Sequence, residues 1–300
     1  MSTANPPSGP STKRILAVAK KDFKDAVQSR ALWSLVSIFV LLLLATTYAY
    51  VELPEMFGPT DQATFGGLLF FTVGITGLFI PLAAIIVCFK SLAGERELGS
   101  IKILLSLPVT RSDILFGKLL GRAAVLTTGL AVGLVLGLGF GAVLLGSLDA
   151  LGLLLFLFAT IFFVAVYVSI IVGLSAATGS TTRATTFAVG FFVVFELIWD
   201  VVPLGVVYLL NGLSMPTEFP DWVFLIAQLS PSGAYFTSVI ALLPDAAADL
   251  GVAVSGTGMN VDPVDAEPFY VTPEVGLVAL FLWLIVPMLV GYRLFTTADM

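Results

Sequence analysis

The chain contains no histidine, and its 300 residues include one cysteine, Cys88. Without histidine the commonest general base and metal ligand is missing, which excludes a serine–histidine intramembrane protease and a histidine-dependent acyltransferase. A single cysteine excludes an internal disulfide and a Cys/His metal cluster, and Met56, Met215 and Met259 are too scattered to make a copper site. No Gly-rich phosphate loop followed by Lys-Ser/Thr occurs, so the chain is not expected to hydrolyse nucleotide by itself. No two aspartates fall within apolar runs to form an aspartyl dyad. Charge is scarce as well: 11% of residues are charged and 58% hydrophobic, well outside the balance of a soluble domain. The composition is that of a polytopic membrane protein with no catalytic set.

Apolar runs long enough for a hydrocarbon core of about 30 Å, roughly 20 helical residues, occur six times, at 31–51, 67–89, 119–145, 151–177, 187–209 and 275–295. The predicted fold is therefore all-α, with six transmembrane helices. Ahead of them, residues 1–11 are Pro/Ser-rich and read as a disordered tail rather than a cleaved signal peptide. Residues 12–30 place Ile15, Ala19, Phe23, Ala26 and Val27 at helical spacing among Lys13, Arg14, Lys20, Lys21, Lys24 and Asp25. That pattern suits either a basic amphipathic helix in the headgroup plane or an ordinary solvated helix before a span.

The positive residues test the division. All 14 Lys and Arg fall before the first run, between the second and third or, for Arg122, at the start of the third, between the fourth and fifth, or at the end of the sixth. Positive flanks mark the cytoplasmic side, so the expected location is a plasma membrane, with both termini cytoplasmic. The outer segments 52–66, 146–150 and 200–274 hold thirteen acids and no Lys or Arg, an exterior that fits a high-salt habitat or, alternatively, a cation-attracting surface.

Gly129, Gly133, Gly137 and Gly141 recur every four residues in the third run. This strips one helix face for close packing, within the subunit or across a dimer; a backbone-lined pathway is the alternative. Pro81, Pro203 and Pro287 are expected to kink or end helices. Glu196 is a charge inside the fifth run and a default functional candidate, for substrate or gating, although Asp200 one turn on allows a position near the outer interface. The extracellular region 210–274 contains apolar residues 219–243, interrupted at Ser230-Pro231-Ser232-Gly233, which read as two short outer-leaflet helices. Residues 244–270 read as a solvated loop.

The longest charged stretch between runs in the first half of the chain is the segment 90–118. Glu95, Arg96 and Glu97 follow the second run directly, and Leu98, Ile101, Leu104 and Leu105 recur at helical spacing until Leu107-Pro108 ends the pattern. Thr110 to Asp113 then offer a cap and an acidic first turn for a new helix through Lys118. Such a helix, tethered at both ends, could dock in a partner's groove or rest on headgroups; the residues alone leave both readings open.

The run Glu95-Arg96-Glu97-x-Gly99-Ser100, continuing through Leu104-Leu105-Ser106-Leu107-Pro108-Val109-Thr110-Arg111 to Asp113-Ile114 and Gly117-Lys118, closely resembles the cytoplasmic segment of ABC-2 type permeases, membrane subunits of one class of ABC transporter. The basic start, LSPSGAY and the six-span layout are similar more loosely. The resemblance implies an elbow helix at 12–30 and a coupling helix in 90–118 that contacts a separately encoded nucleotide-binding ATPase. Glu95, Arg96, Glu97, Leu98, Gly99, Ile101, Leu104, Leu105, Leu107, Pro108, Arg111 and Lys118 would then be the partner-coupling residues. ATP and Mg would sit on that subunit, with no cofactor, metal or nucleic acid on this chain, and two permeases, identical or similar, would pair in the bilayer. Within the family the chain is most similar to the NosY-type group linked to copper-enzyme maturation. Two rival readings are a self-sufficient ion-coupled secondary transporter or channel using Glu196, and a non-transporting anchor that recruits an ATPase.

Overall fold

The computed structural model describes residues 11–53, 63–101, 106, 108–216, 219–249, 269–270 and 272–298. Leu104, Leu105 and Leu107, the tail 1–10 and most of 250–271 lie outside the described residues. Among those described there is no strand, and six helices are long and apolar enough to cross a membrane.

Helix α1 is Thr12–Val27 and α2, the first span, Arg30–Glu52. The second span is α3, Phe65–Cys88, followed by a short α4, Ala93–Glu97. The third and fourth are α5, Arg111–Leu145, and α6, Ala150–Ala176. The fifth is composite: α7, Thr181–Phe192, runs into a π-helical turn, Val193–Ile198, and continues as α8, Val201–Leu210. A bent pair follows, α9 at Asp221–Gln228 and α10 at Pro231–Leu242, with an angle of 104° between them. Then come α11, Pro244–Asp249, and the sixth span α12, Glu274–Thr297. The break between α9 and α10 falls at the Ser-Pro interruption because Ser230 caps α10, accepting from the Gly233 amide at 3.0 Å, and Pro231 takes the first helical position.

The core is centred on α6, whose Phe156, Phe163 and Tyr167 are fully buried against α3, α5, α10 and α12. Tyr235 of α10 stacks on Phe163 at 4.3 Å and places its hydroxyl 3.0 Å from Thr76 and 2.8 Å from Thr160. Pro81 inside the second span frees the carbonyl four residues earlier, and that Gly77 O lies 3.3 Å from Ser232 Oγ. Near Pro287 in the sixth span, Leu284 O accepts from Ser169 Oγ at 2.6 Å.

At about 1.5 Å per residue, the 35 residues of α5 reach well beyond a 30 Å hydrocarbon core. Its glycine stripe explains what lies alongside. A Cβ at Gly129 would stand 2.9 Å from Val36, one at Gly137 2.8 Å from Leu43, and those at Gly133 and Gly141 would meet Phe39 and Leu68. The stripe continues towards the N-terminus through Gly117 and Gly121, where α1 takes over from α2: a Cβ at Gly121 would lie 2.9 Å from Ala19 O. Thus α1 and α2 run in succession, in the same direction, along one face of α5. The inner part of the α1 apolar stripe, Ala19 and Ala26, is buried on α5, while Leu16 stays exposed.

Candidate functional site

The charged residues of segment 90–118 lie at the end of the bundle where α3, α6 and α12 finish and α5 and α7 begin. Helix C-termini carry unpaired carbonyls and partial negative charge, and N-termini carry unpaired amides and partial positive charge. Three arginines each meet a different C-terminus. Arg122 donates to Val87 O of α3 at 2.7 Å, Arg96 to Ala176 O of α6 at 3.2 Å, and Arg111 to Phe295, Thr296 and Ala298 carbonyls of α12 at 3.0, 2.7 and 3.1 Å. Glu97 does the converse, accepting from the Thr181 amide at the start of α7 at 2.6 Å. Of the charges expected to meet a partner, Arg96, Glu97 and Arg111 are thus engaged within the chain at the ends of spans.

Below them lies an ion cluster. Lys118 Nζ, its side chain 5% exposed, reaches Glu95 Oε1 at 2.9 Å and Asp22 Oδ1 at 3.3 Å; Asp22 also faces Arg122 at 2.8 Å. Two cations balance two carboxylates, so α1, α4 and α5 are joined around a neutral set. Asp113 makes the second junction. Its carboxylate accepts from the Thr110 amide at 2.9 Å while the Thr110 hydroxyl accepts from the Asp113 amide, a reciprocal cap for α5. It also accepts from the Ser11 amide at 2.8 Å and pairs with Arg14 at 2.7 Å.

The apolar stripe of the segment differs from its expected single face. Gly99 adopts φ 71°, a left-handed conformation suited to glycine, and it ends α4 there. The turn separates Leu98, 84% exposed, from Ile101, which is 2% exposed and joins the core. Around the turn, Glu97 and Leu98 face outward, as do Ser106 and Pro108 further on.

Glu196 sits in the π-helical turn, where its two carboxylate oxygens accept from Tyr167 of α6 and Ser232 of α10. Tyr167 is nine residues, about 14 Å, from the α6 terminus at Ala176, so Glu196 lies at depth rather than at the outer interface. Two tryptophans hold the bent pair beside it: Trp199 donates to Ile226 O at 2.7 Å and Trp283 to Leu229 O at 2.8 Å.

Asp22, Ser175 and Thr181 were not singled out by sequence reasoning. Only Asp22 left a readable signal, an acid on the inner face of α1 three residues after Ala19 and four before Ala26. Asp113 was expected only as part of the α5 cap, and its junction with Ser11 and Arg14, like the contacts of Ser175 and Thr181, joins residues 80 or more positions apart, for which spacing gives no sign.

Residues 16–300 match the ABC-2 family transporter protein family. The chain is also similar to the probable ABC transporter permease protein NosY of Stutzerimonas stutzeri, 26% identical over 117 residues, 39% of this chain and 41% of that protein. Its counterpart in Pseudomonas aeruginosa is 26% identical over 120 residues, 40% and 42% of the two chains. The chain thus aligns with less than half the length of these relatives. With the family match covering nearly its whole length and six apolar helices arranged as described, this multi-pass membrane protein belongs to the ABC-2 family of transporter proteins.

Proposed function

We propose that the chain is the permease subunit of an ATP-driven transporter and that a separate nucleotide-binding subunit, carrying ATP and Mg, docks on segment 90–118. The observation that carries this reading is Leu98: a large apolar side chain 84% exposed, at the charged end of the molecule, directly after the short helix α4, whose three charged residues are fixed to Lys118 of α5 and to the ends of α6 and α7. An exposed apolar anchor on a rigid base is the form of a docking site. By the distribution of Lys and Arg this end is cytoplasmic, and both termini lie there. Two permeases and two ATPase subunits would complete the assembly. The NosY likeness supports a cargo tied to copper-enzyme maturation; with one cysteine and no histidine, the chain is poorly equipped to carry copper ion itself.

The test is co-purification with the ATPase subunit and stimulation of its ATP hydrolysis. Leu98→Asp is expected to abolish both, at unchanged expression and thermal stability, because the side chain is almost wholly exposed. Undiminished binding by Leu98→Asp would remove the proposed docking site. Charge reversal at Glu95 or Arg96, in contrast, is expected to lower stability before it lowers binding.

A further inference from the structure

The residues that follow α3 are joined to the turn between α6 and α7 more densely than to either of their own flanking spans. Ser175 of α6 is fully buried. Its hydroxyl accepts from the Leu92 and Ala93 amides at 3.2 and 3.0 Å and donates to Phe89 O at 2.8 Å. Arg96 reaches Ala176 O at 3.2 Å, and Glu97 accepts from the Thr181 amide at 2.6 Å. A displacement of 89–97 is therefore delivered at once to the start of the fifth span.

The two candidate recipients differ in how firmly they are held. Helix α5 is braced by α1 and α2 through the close glycine contacts and by the Asp22–Lys118 and Asp113–Arg14 pairs. Helix α7 has only Ala184 and Ala188 buried, and the π-helical turn after it has no buried residue. A π turn is a local defect that a helix can pass through α geometry to move, which makes it a natural pivot. Its far side is pinned, since Glu196 is held by Tyr167 and Ser232 and Trp199 by Ile226 O.

We infer that segment 89–97 drives the fifth span: Glu97 and Ser175 are positioning residues that grip the 175–181 turn, and α7 swings about the π turn at Val193–Ile198 while α5 stays fixed to α1 and α2. The ATP-driven part of this inference rests on the proposed ATPase partner; the grip and the pivot do not.

The experiment uses the full chain in lipid nanodiscs, with Cys88→Ser as background and nitroxides at Thr186→Cys on α7 and Leu120→Cys on α5, both exposed positions. In the chain alone, Glu97→Ala is expected to raise label mobility at 186 and leave 120 unchanged. Thr181→Pro repeats the test without touching Glu97, because it deletes the donor amide at the first helical position, where proline is well accommodated. Unchanged mobility at 186 in both variants, or equal increases at 186 and 120, overturns the grip. With the ATPase subunit bound, ATP and vanadate are expected to shift the 186–120 distance in the wild-type background, and either variant to lose that shift while the complex persists. A shift that survives both variants, or one seen between α5 and α2 instead, overturns the fifth span as recipient. If the unaltered chain binds no ATPase subunit, the proposed function fails, while the mobility measurements still decide the grip.

Discussion

Lys118 holds two carboxylates from different elements, Glu95 at 2.9 Å and Asp22 at 3.3 Å, in a site from which water is nearly excluded. A buried pair contributes little compared with an apolar replacement, but removing one partner strands a charge. Lys118→Met alone should therefore cost about 3 kcal/mol, because Glu95 loses its only ion-pair partner among the described residues and Asp22 keeps Arg122. Lys118→Met combined with Glu95→Gln leaves the Asp22–Arg122 pair balanced and should regain most of that loss. Urea or mixed-micelle unfolding of the two single variants and the double variant gives the coupling directly. Equal losses in the single and the double variants would show that the cluster is stabilised by packing of the lysine stem rather than by charge balance.

Among elements, α5 is the one against which α1 and α2 are both built. Gly121 meets a backbone atom, Ala19 O, so a methyl there has no rotamer by which to escape, whereas a Cβ at Gly139 would meet nothing within 4 Å. Gly121→Ala should lower stability by about 1–3 kcal/mol as an overpacked contact, and Gly139→Ala should be neutral or slightly stabilising through helix propensity. Mixed-micelle unfolding of the pair separates the two positions, and similar effects at both would mean that α1 gives way easily. The four-residue glycine period, the six apolar runs, the Thr110 cap and the Ser-Pro break were all legible in the sequence, because each is a local pattern fixed by helix geometry. The period did not say which helix fills the stripe, within the subunit or across a dimer. The uses of Glu95, Arg96 and Glu97 were not legible either: a dense charge triplet after a span looks the same whether it faces a partner or, as here, pairs with Lys118 and caps spans 80 residues away. Leu98 and Ile101 misled for a different reason. Their spacing matches one helix face, but Gly99 breaks that helix between them.

The whole molecule has one point at which its topology turns on geometry rather than composition, the bent pair α9–α10. If the pair crossed the bilayer once, α12 would reverse and carry Arg111's carbonyl partners and Arg293 to the outer side, against both the charge distribution and the contacts of Arg111 with α12. With eight and twelve residues meeting at 104°, the pair spans only about 20 Å end to end at 1.5 Å per residue, short of a 30 Å core. The pair is therefore expected to enter and return on one side, reaching Glu196 through Ser232. Met215 before the pair and Asp245 after it should then lie on the same face as Ser147 of the α5–α6 turn. Single cysteines at these three exposed positions in a Cys88→Ser background should react with a membrane-impermeant maleimide on intact cells. Cysteines at Thr182 and Thr297 should react only after permeabilisation. Labelling at Met215 with protection at Asp245 would show that the pair crosses the bilayer; it would also put the end of α12 on the opposite side from Arg111, a result that the carbonyl contacts between them forbid.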